Sequence, residues 1–206
     1  MASDFCEETK EKLKTNFDHG HKEDSHFVAM LKACADKKDL HKGMKIHADI
    51  RRNGLLEKNP YVASSLICMY AKCGFLTKAQ QVLEKLPNRS VVSWNALISG
   101  YVRHGESEHV LELFAEMRME KIKPDEYTFL SVITACSHAG HMNKGLTYFE
   151  MMNKEYGIIP NVVHQNCIVD MFSRAGKLEE AMVLMRNMPF HPDIVTWKTV
   201  LRDCHR

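Results

Sequence analysis

VVSWNALISGYVRHG, residues 91–105, decides the fold. Its large apolar residues Trp94, Leu97, Ile98 and Tyr101 recur at i, i+3, i+4 and i+7. That spacing gives an α-helix one buried face. Gly105 follows the last of them by four residues and marks the turn that ends the helix. The phrase is not alone. MYAKCG (69–74), ACSHAG (135–140) and MFSRAG (171–176) end the same way. Gly74, Gly105, Gly140 and Gly176 are separated by 31, 35 and 36 residues. A period of about 20–50 residues is the mark of a stacked repeat.

Alignment on these glycines divides the chain into repeats 24–59, 60–90, 91–125, 126–161 and 162–193, with a sixth beginning at Ile194 and reaching Arg206. Residues 1–23 read as a flexible lead-in. Numbering positions within a repeat as columns, columns 4, 7, 8 and 11 form the first apolar stripe. They run from Phe27, Met30, Leu31 and Cys34 through Trp94, Leu97, Ile98 and Tyr101 to Trp197, Val200, Leu201 and Cys204, and Gln165 is the only polar residue among the 24. A second stripe follows the turn. Column 20 is Gly43, Ala79, Val110, Gly145 and Ala181, small enough for helices to approach. Columns 23 and 27 are apolar, as in Ile46 and Ile50 or Leu113 and Met117. Each repeat is therefore a hairpin of two amphipathic helices. Pro124, Pro160 and Pro192 stand just before the last residue of their repeats, where a second helix must stop. One hairpin cannot bury both stripes, but stacked neighbours can. The expected fold is all-α, an α-solenoid of stacked antiparallel helix pairs winding as a right-handed superhelix.

Hydrophobic residues make up 45% of the 206 and charged residues 26%, which fits a folded rather than a disordered chain. A formal net charge of +2 does not by itself announce nucleic acid. Seven cysteines, none in a C-x-x-C pair, read as reduced thiols. No apolar run approaches the ~18–20 residues of a membrane span. Asp4, Glu7, Glu8, Glu11, Asp18 and Glu23 make the first 23 residues a poor organelle transit peptide.

The phrases LKACA (31–35), MYAKCG (69–74), VVSWNALISGYVRHG (91–105), ACSHAG (135–140), RAGKLEEA (174–181) and MPFHPD (188–193) resemble those of the pentatricopeptide repeat family. The alternating repeat lengths resemble its plant-type subclass of long, short and standard repeats. VTWKTVLRDCHR (195–206) resembles the start of the extension motif that follows the last repeat in RNA editing factors. The resemblance covers 24–206. The first repeat departs from it, because Asp36-Lys37-Lys38 replaces the turn glycine.

The resemblance implies a binder of single-stranded RNA in a mitochondrion or chloroplast, reading one base per repeat. Column 5 and the last column would act on one base, and column 2 would wedge between bases. The implied base-reading residues are Asn95 with Asp125, Asn166 with Asp193, and Ser64 with Ser90. The implied wedge residues are Tyr61, Val92, Tyr127 and Val163. The two Asn and Asp pairs match the family's uracil-preferring combination. An amide offers a pyrimidine edge both a donor and an acceptor. Val28 with Asn59 and Leu130 with Asn161 carry an apolar fifth residue and read as spacers. Lys72, Arg103 and Arg174 lie near turns, within reach of phosphates.

No catalytic site is expected. His21-Lys22-Glu23 and His104-Gly105-Glu106 match the H-x-E of zinc deaminases, but no C-x-x-C accompanies them. Cys136, His138 and His141 have ligand-like spacing, yet Cys136 belongs to the apolar stripe and no fourth ligand is evident, so neither metal nor cofactor is expected. A deaminase or editing cofactor protein would act in trans. The competing reading is a scaffold that holds peptides on the same solenoid.

Overall fold

A computed structural model of the chain describes residues 24–187 and Trp197. The lead-in 1–23, Asp193 and, apart from Trp197, the sixth repeat lie outside the described residues. The first helix, α1, spans 24–37. The others are α2 (Leu40–Arg52), α3 (Leu55–Lys58), α4 (Pro60–Lys72), α5 (Leu76–Glu84), α6 (Val91–Arg103), α7 (Ser107–Met119), α8 (Glu126–Ala139), α9 (Met142–Lys154), α10 (Val162–Arg174) and α11 (Leu178–Asn187). No strand occurs among the described residues. They fall into two compact parts divided between Leu97 and Ile98, inside α6.

The apolar stripes are what each part buries. In the first part Leu31, Cys34, Ala63, Leu66, Ile67 and Tyr70 of the first stripe are buried, as are Ile46, Ile50, Val82 and Leu86 of the second. In the second part Phe129, Val132, Ile133 and Cys136 are buried along with Leu113, Met117 and Met152. α8 packs against α7, α9 and α10, so each first helix is held by its own partner and by its neighbours. Three buried polar atoms have no hydrogen-bond partner among the described residues: Oε1 of Gln165, the one polar stripe residue, Nε1 of Trp94 and Oγ of Ser173. Trp197, read as a stripe residue, is half exposed.

The turn inside each hairpin is one repeated device. The amide of column 16 donates to the carbonyl of column 11: Asp39 to Cys34, Phe75 to Tyr70, His141 to Cys136 and Lys177 to Phe172 at 2.9 Å, and Glu106 to Tyr101 at 3.1 Å. This six-to-one bond needs a left-handed residue in column 15. Gly140 takes it at φ 71°, and the first repeat, lacking the glycine, puts Lys38 there at φ 53°. A side chain in that region costs about 1–2 kcal/mol. Lys38→Gly is therefore expected to stabilise the first hairpin by roughly 0.5–1 kcal/mol after the entropy penalty of a new glycine. A urea titration checks it, and an unchanged or lower midpoint would mean that the turn stores no strain.

Column 20 is matched to column 10 of the following repeat. A Cβ built on Gly43 would lie 2.5 Å from Met69 Sδ, and one on Gly145 would lie 2.8 Å from Met171 Sδ and 3.2 Å from Cys136 Cβ. Both methionines are buried. Each glycine is thus a hole filled by a methionine from the next first helix.

Candidate nucleic-acid interface

When columns 4, 7, 8 and 11 of a helix face the core, columns 2 and 5 fall on a neighbouring flank. The structure gives that flank an unusual character. The four wedge candidates all stand in solvent: Tyr61 is 66% exposed, Val92 43%, Tyr127 63% and Val163 51%. They occupy the first turn of α4, α6, α8 and α10. Large apolar side chains are thus left uncovered at the same helical position in four successive repeats. Asn95 and Asn166 are half-buried in the next turn of α6 and α10. Ser64, at the same position of α4, is only 8% exposed. Its hydroxyl donates to the Tyr61 carbonyl at 3.1 Å.

The last column of a repeat proves to be the N-cap position of the next first helix. Asp125 Oδ1 accepts from the Thr128 amide at 2.9 Å, while Thr128 Oγ1 faces the Asp125 amide at 3.1 Å. This is a capping box, and such a cap contributes about 1 kcal/mol. Asn161 caps α10 by accepting from the amides of Val163 (3.0 Å) and His164 (3.3 Å). The buried His164 ring reaches Asn161 Oδ1 at 2.6 Å through Nδ1 and the Glu126 carbonyl at 2.9 Å through Nε2, tying the start of α10 to the start of α8. Ser90 precedes α6 and accepts from the Ser93 amide at 3.3 Å, while Ser93 Oγ donates to the Ser90 carbonyl at 2.7 Å.

These bonds sort the last-column residues. Asn59 is engaged at both ends of its amide. Oδ1 accepts from the Tyr61 amide at 2.8 Å, and Nδ2 donates to Asp24 Oδ2 at 2.9 Å. Its repeat is one whose fifth residue, Val28, reads as a spacer. Ser64 and Ser90 each bond within the start of their own helix. Asn95 lies in the first compact part and Asp125 in the second. Asp193, the expected partner of Asn166, lies outside the described residues. The cap role escaped the sequence reading, although Asn59, Ser90, Asp125 and Asn161 are all N-cap residue types directly before an apolar-periodic segment.

The cations differ from one another. Lys72 Nζ lies 2.7 Å from Asp36 Oδ1, and this contact holds the Asp36 carboxyl below the usual range. Arg174 Nε donates to Asp170 Oδ2 at 2.7 Å, and Ser137 Oγ donates to the same oxygen at 2.6 Å. Arg103 is exposed and ends α6 without an ion pair among the described residues. Cys136 is in the core, where burial pushes its thiol up to about 11. His141 is turned to Glu108 Oε1 at 2.7 Å. No group of three metal-binding side chains gathers among the described residues. No described helix is long and apolar enough to cross a membrane.

Known proteins agree with this architecture. Residues 25–55, 61–91, 127–156 and 156–189 match the PPR repeat, and residues 89–138 match the PPR repeat family. A pentatricopeptide repeat-containing protein of Arabidopsis thaliana is 41% identical over 177 residues, covering 86% of this chain and 29% of its own length. A mitochondrial relative from the same plant is 40% identical, over 86% of this chain and 20% of itself. A chloroplastic one is 38% identical, over 86% and 24%. The chain thus spans about a fifth to three tenths of the length of these relatives. Among solved structures, the pentatricopeptide repeat protein PPR10 in complex with an 18-nt psaJ RNA element superposes with a TM-score of 0.66 at 23% identity, over 78% of this chain and 24% of that one. The PPR domain of Arabidopsis thaliana protein-only RNase P 1 in complex with tRNA gives 0.64 at 13% identity, over 89% and 99%. The fold is that of an all-α solenoid, and the chain belongs to the pentatricopeptide repeat family.

Proposed function

We propose that this chain binds single-stranded RNA on the flank carrying columns 2 and 5, reading one base per repeat in a mitochondrial or chloroplast transcript. The observation that carries the reading is the set of four uncovered column-2 side chains, Tyr61, Val92, Tyr127 and Val163. Single-stranded bases have two apolar faces; stacking on an aromatic ring such as that of Tyr61 or Tyr127 is worth about 1–3 kcal/mol per base, and Val92 and Val163 offer an apolar contact. Polar residues beside two of the wedges supply edge contacts, Asn95 with Asp125 and Asn166 with Asp193; Ser64, which with Ser90 makes the third pair, is only 8% exposed and bonded to its own helix, so its repeat discriminates least. The first two pairs are assigned to uracil and the third to a purine, and the spacer repeats 24–59 and 126–161 accept any base. With the N-terminus toward the RNA 5′ end, the preferred order is any, purine, U, any, U. Recognition of a C-to-U editing site, with a deaminase supplied in trans, is the process this reading favours. The subclass with alternating repeat lengths, and an extension motif opening at Ile194, belong to the same proposal.

The test is selection from short RNAs randomised at five positions, over a salt series, with matched DNA as control. Uracil enrichment two positions apart is expected. Asn95→Ala should remove the first preference and Asn166→Ala the second, each worth about 1–3 kcal/mol on the scale of good direct base contacts. Asp125→Asn keeps the helix cap and should change only the base preferred at the third position. Asp125→Ala should also lower stability by about 1 kcal/mol. Uracil preference surviving in Asn95→Ala, Asn166→Ala and Asp125→Asn would refute the register, and peptide binding without RNA binding would favour the scaffold.

A further inference from the structure

The second helices carry a feature that base reading does not use. A cavity of about 650 Å³ opens in the first compact part between α2, α3, α4 and α5. None of its lining residues comes from columns 2, 5, 9 or 12. Three cations line it, Arg51, Lys78 and Lys85, against one acid, Glu57. Counted together they give +3 and −1, a net +2, as much as the whole chain carries. None of the four makes an ion pair among the described residues, and Lys78 Nζ reaches only Met44 Sδ, at 4.0 Å. Burial, with Arg51, Lys85 and Lys78 adding their charge, pushes the His47 imidazole below its usual range. Its Nδ1 sits 2.8 Å from the buried Tyr70 hydroxyl. Met44, Leu56 and Val82 supply apolar wall.

The fold does not require this arrangement, because the other long-short repeat pair lacks it. At the positions of His47, Arg51, Lys78 and Lys85, that pair has Phe149, Asn153, Glu180 and Asn187. Uncompensated like charges gathered round an apolar recess oppose one another in the free protein. They become favourable once an anion enters.

We propose that this cavity is a docking site for an acidic, partly apolar peptide segment of a protein partner, with a carboxylate held among Arg51, Lys78 and Lys85 and an apolar side chain against Met44, Leu56 and Val82. A nucleic-acid phosphate matches the cations but leaves the apolar wall unused. The site is independent of the RNA-reading flank and survives if that reading fails.

The test uses the whole chain and a fluorescein-labelled peptide with glutamates around one leucine, followed by fluorescence anisotropy. Its lysine counterpart, a serine-for-leucine version, inorganic phosphate and single-stranded RNA are the controls. The glutamate peptide is expected to bind, and the Lys78→Glu/Lys85→Glu double variant to weaken it by on the order of tenfold or more. The serine version should bind more weakly. If circular dichroism shows that the double variant has lost helix, Arg51→Glu, on the exposed face of α2, takes its place. No binding to wild type, equal binding by the charge-reversed chain, equal binding of the lysine peptide, or displacement by phosphate or RNA at matched concentration would each overturn the proposal.

Discussion

Phe114→Ala is expected to lower the free energy of unfolding by about 3–5 kcal/mol, the usual cost of emptying a buried aromatic site. Phe114 is 2% exposed. Its ring meets Phe129 edge-on at 5.7 Å between centroids and Tyr148 at 5.3 Å, and the Arg118 guanidinium lies 5.8 Å above it. Phe129 in turn meets Tyr156 at 5.2 Å. One side chain of α7 therefore joins α8 and α9, the two helices of the next repeat. Each aromatic pair adds about 0.5–1.5 kcal/mol beyond the area it buries. A domain has only about 5–15 kcal/mol in total, so this loss is a large share. Thermal melts followed by circular dichroism should shift down by roughly 6–20 °C. Because a repeat array is held by nearest-neighbour interfaces, amide exchange should accelerate first in α7, α8 and α9. A loss below about 1 kcal/mol would mean that the seam rests on other contacts.

Gly145→Val and Met171→Ala are each expected to destabilise by about 2–3 kcal/mol, while the double variant recovers most of the loss. The first change overfills the hole under α9. The new side chain would drive into Met171, and Cys136 Cβ at 3.2 Å blocks retreat on the other side. The second change leaves the hole empty. Together they restore the summed volume. The chain already contains that solution, since Val110 and Ala135 occupy the corresponding positions one repeat earlier and both are buried. A coupling energy on the order of 2 kcal/mol in a double-mutant cycle is the expected signature. Additive losses would show that Met171 packs elsewhere when Gly145 changes.

The helices and their buried faces were legible because an apolar period survives any modest error in boundaries. Leu66, Ile67, Val132 and Ile133 are buried where the stripe put them. The missing turn glycine was legible too, but not its consequence, since a sequence does not say whether the chain will reroute or force Lys38 into left-handed geometry. Ser64 marks a different limit. Column spacing puts it on the same flank as Asn95, yet a hydroxyl is short and bonds its own helix, so it hardly emerges. Asparagine is long enough to stand half out. The last-column caps were legible in principle from residue type and were missed because the repeat was numbered from its helix start. The cavity was not legible. It depends on how α3 turns away after Gly54, whose φ is 63°, and on volumes that no column records.

The shared duty of Asp125 and Asn161 bears on engineering. A residue that finishes one repeat by count begins the next helix by structure. The alphabet open to a redesigner at that position is therefore restricted to Ser, Thr, Asn and Asp before any base is considered. Cutting such an array between repeats separates each cap from the helix it starts. Modules for recombination are better joined within the hairpin turn at column 15, where the seam crosses no side chain that serves two masters.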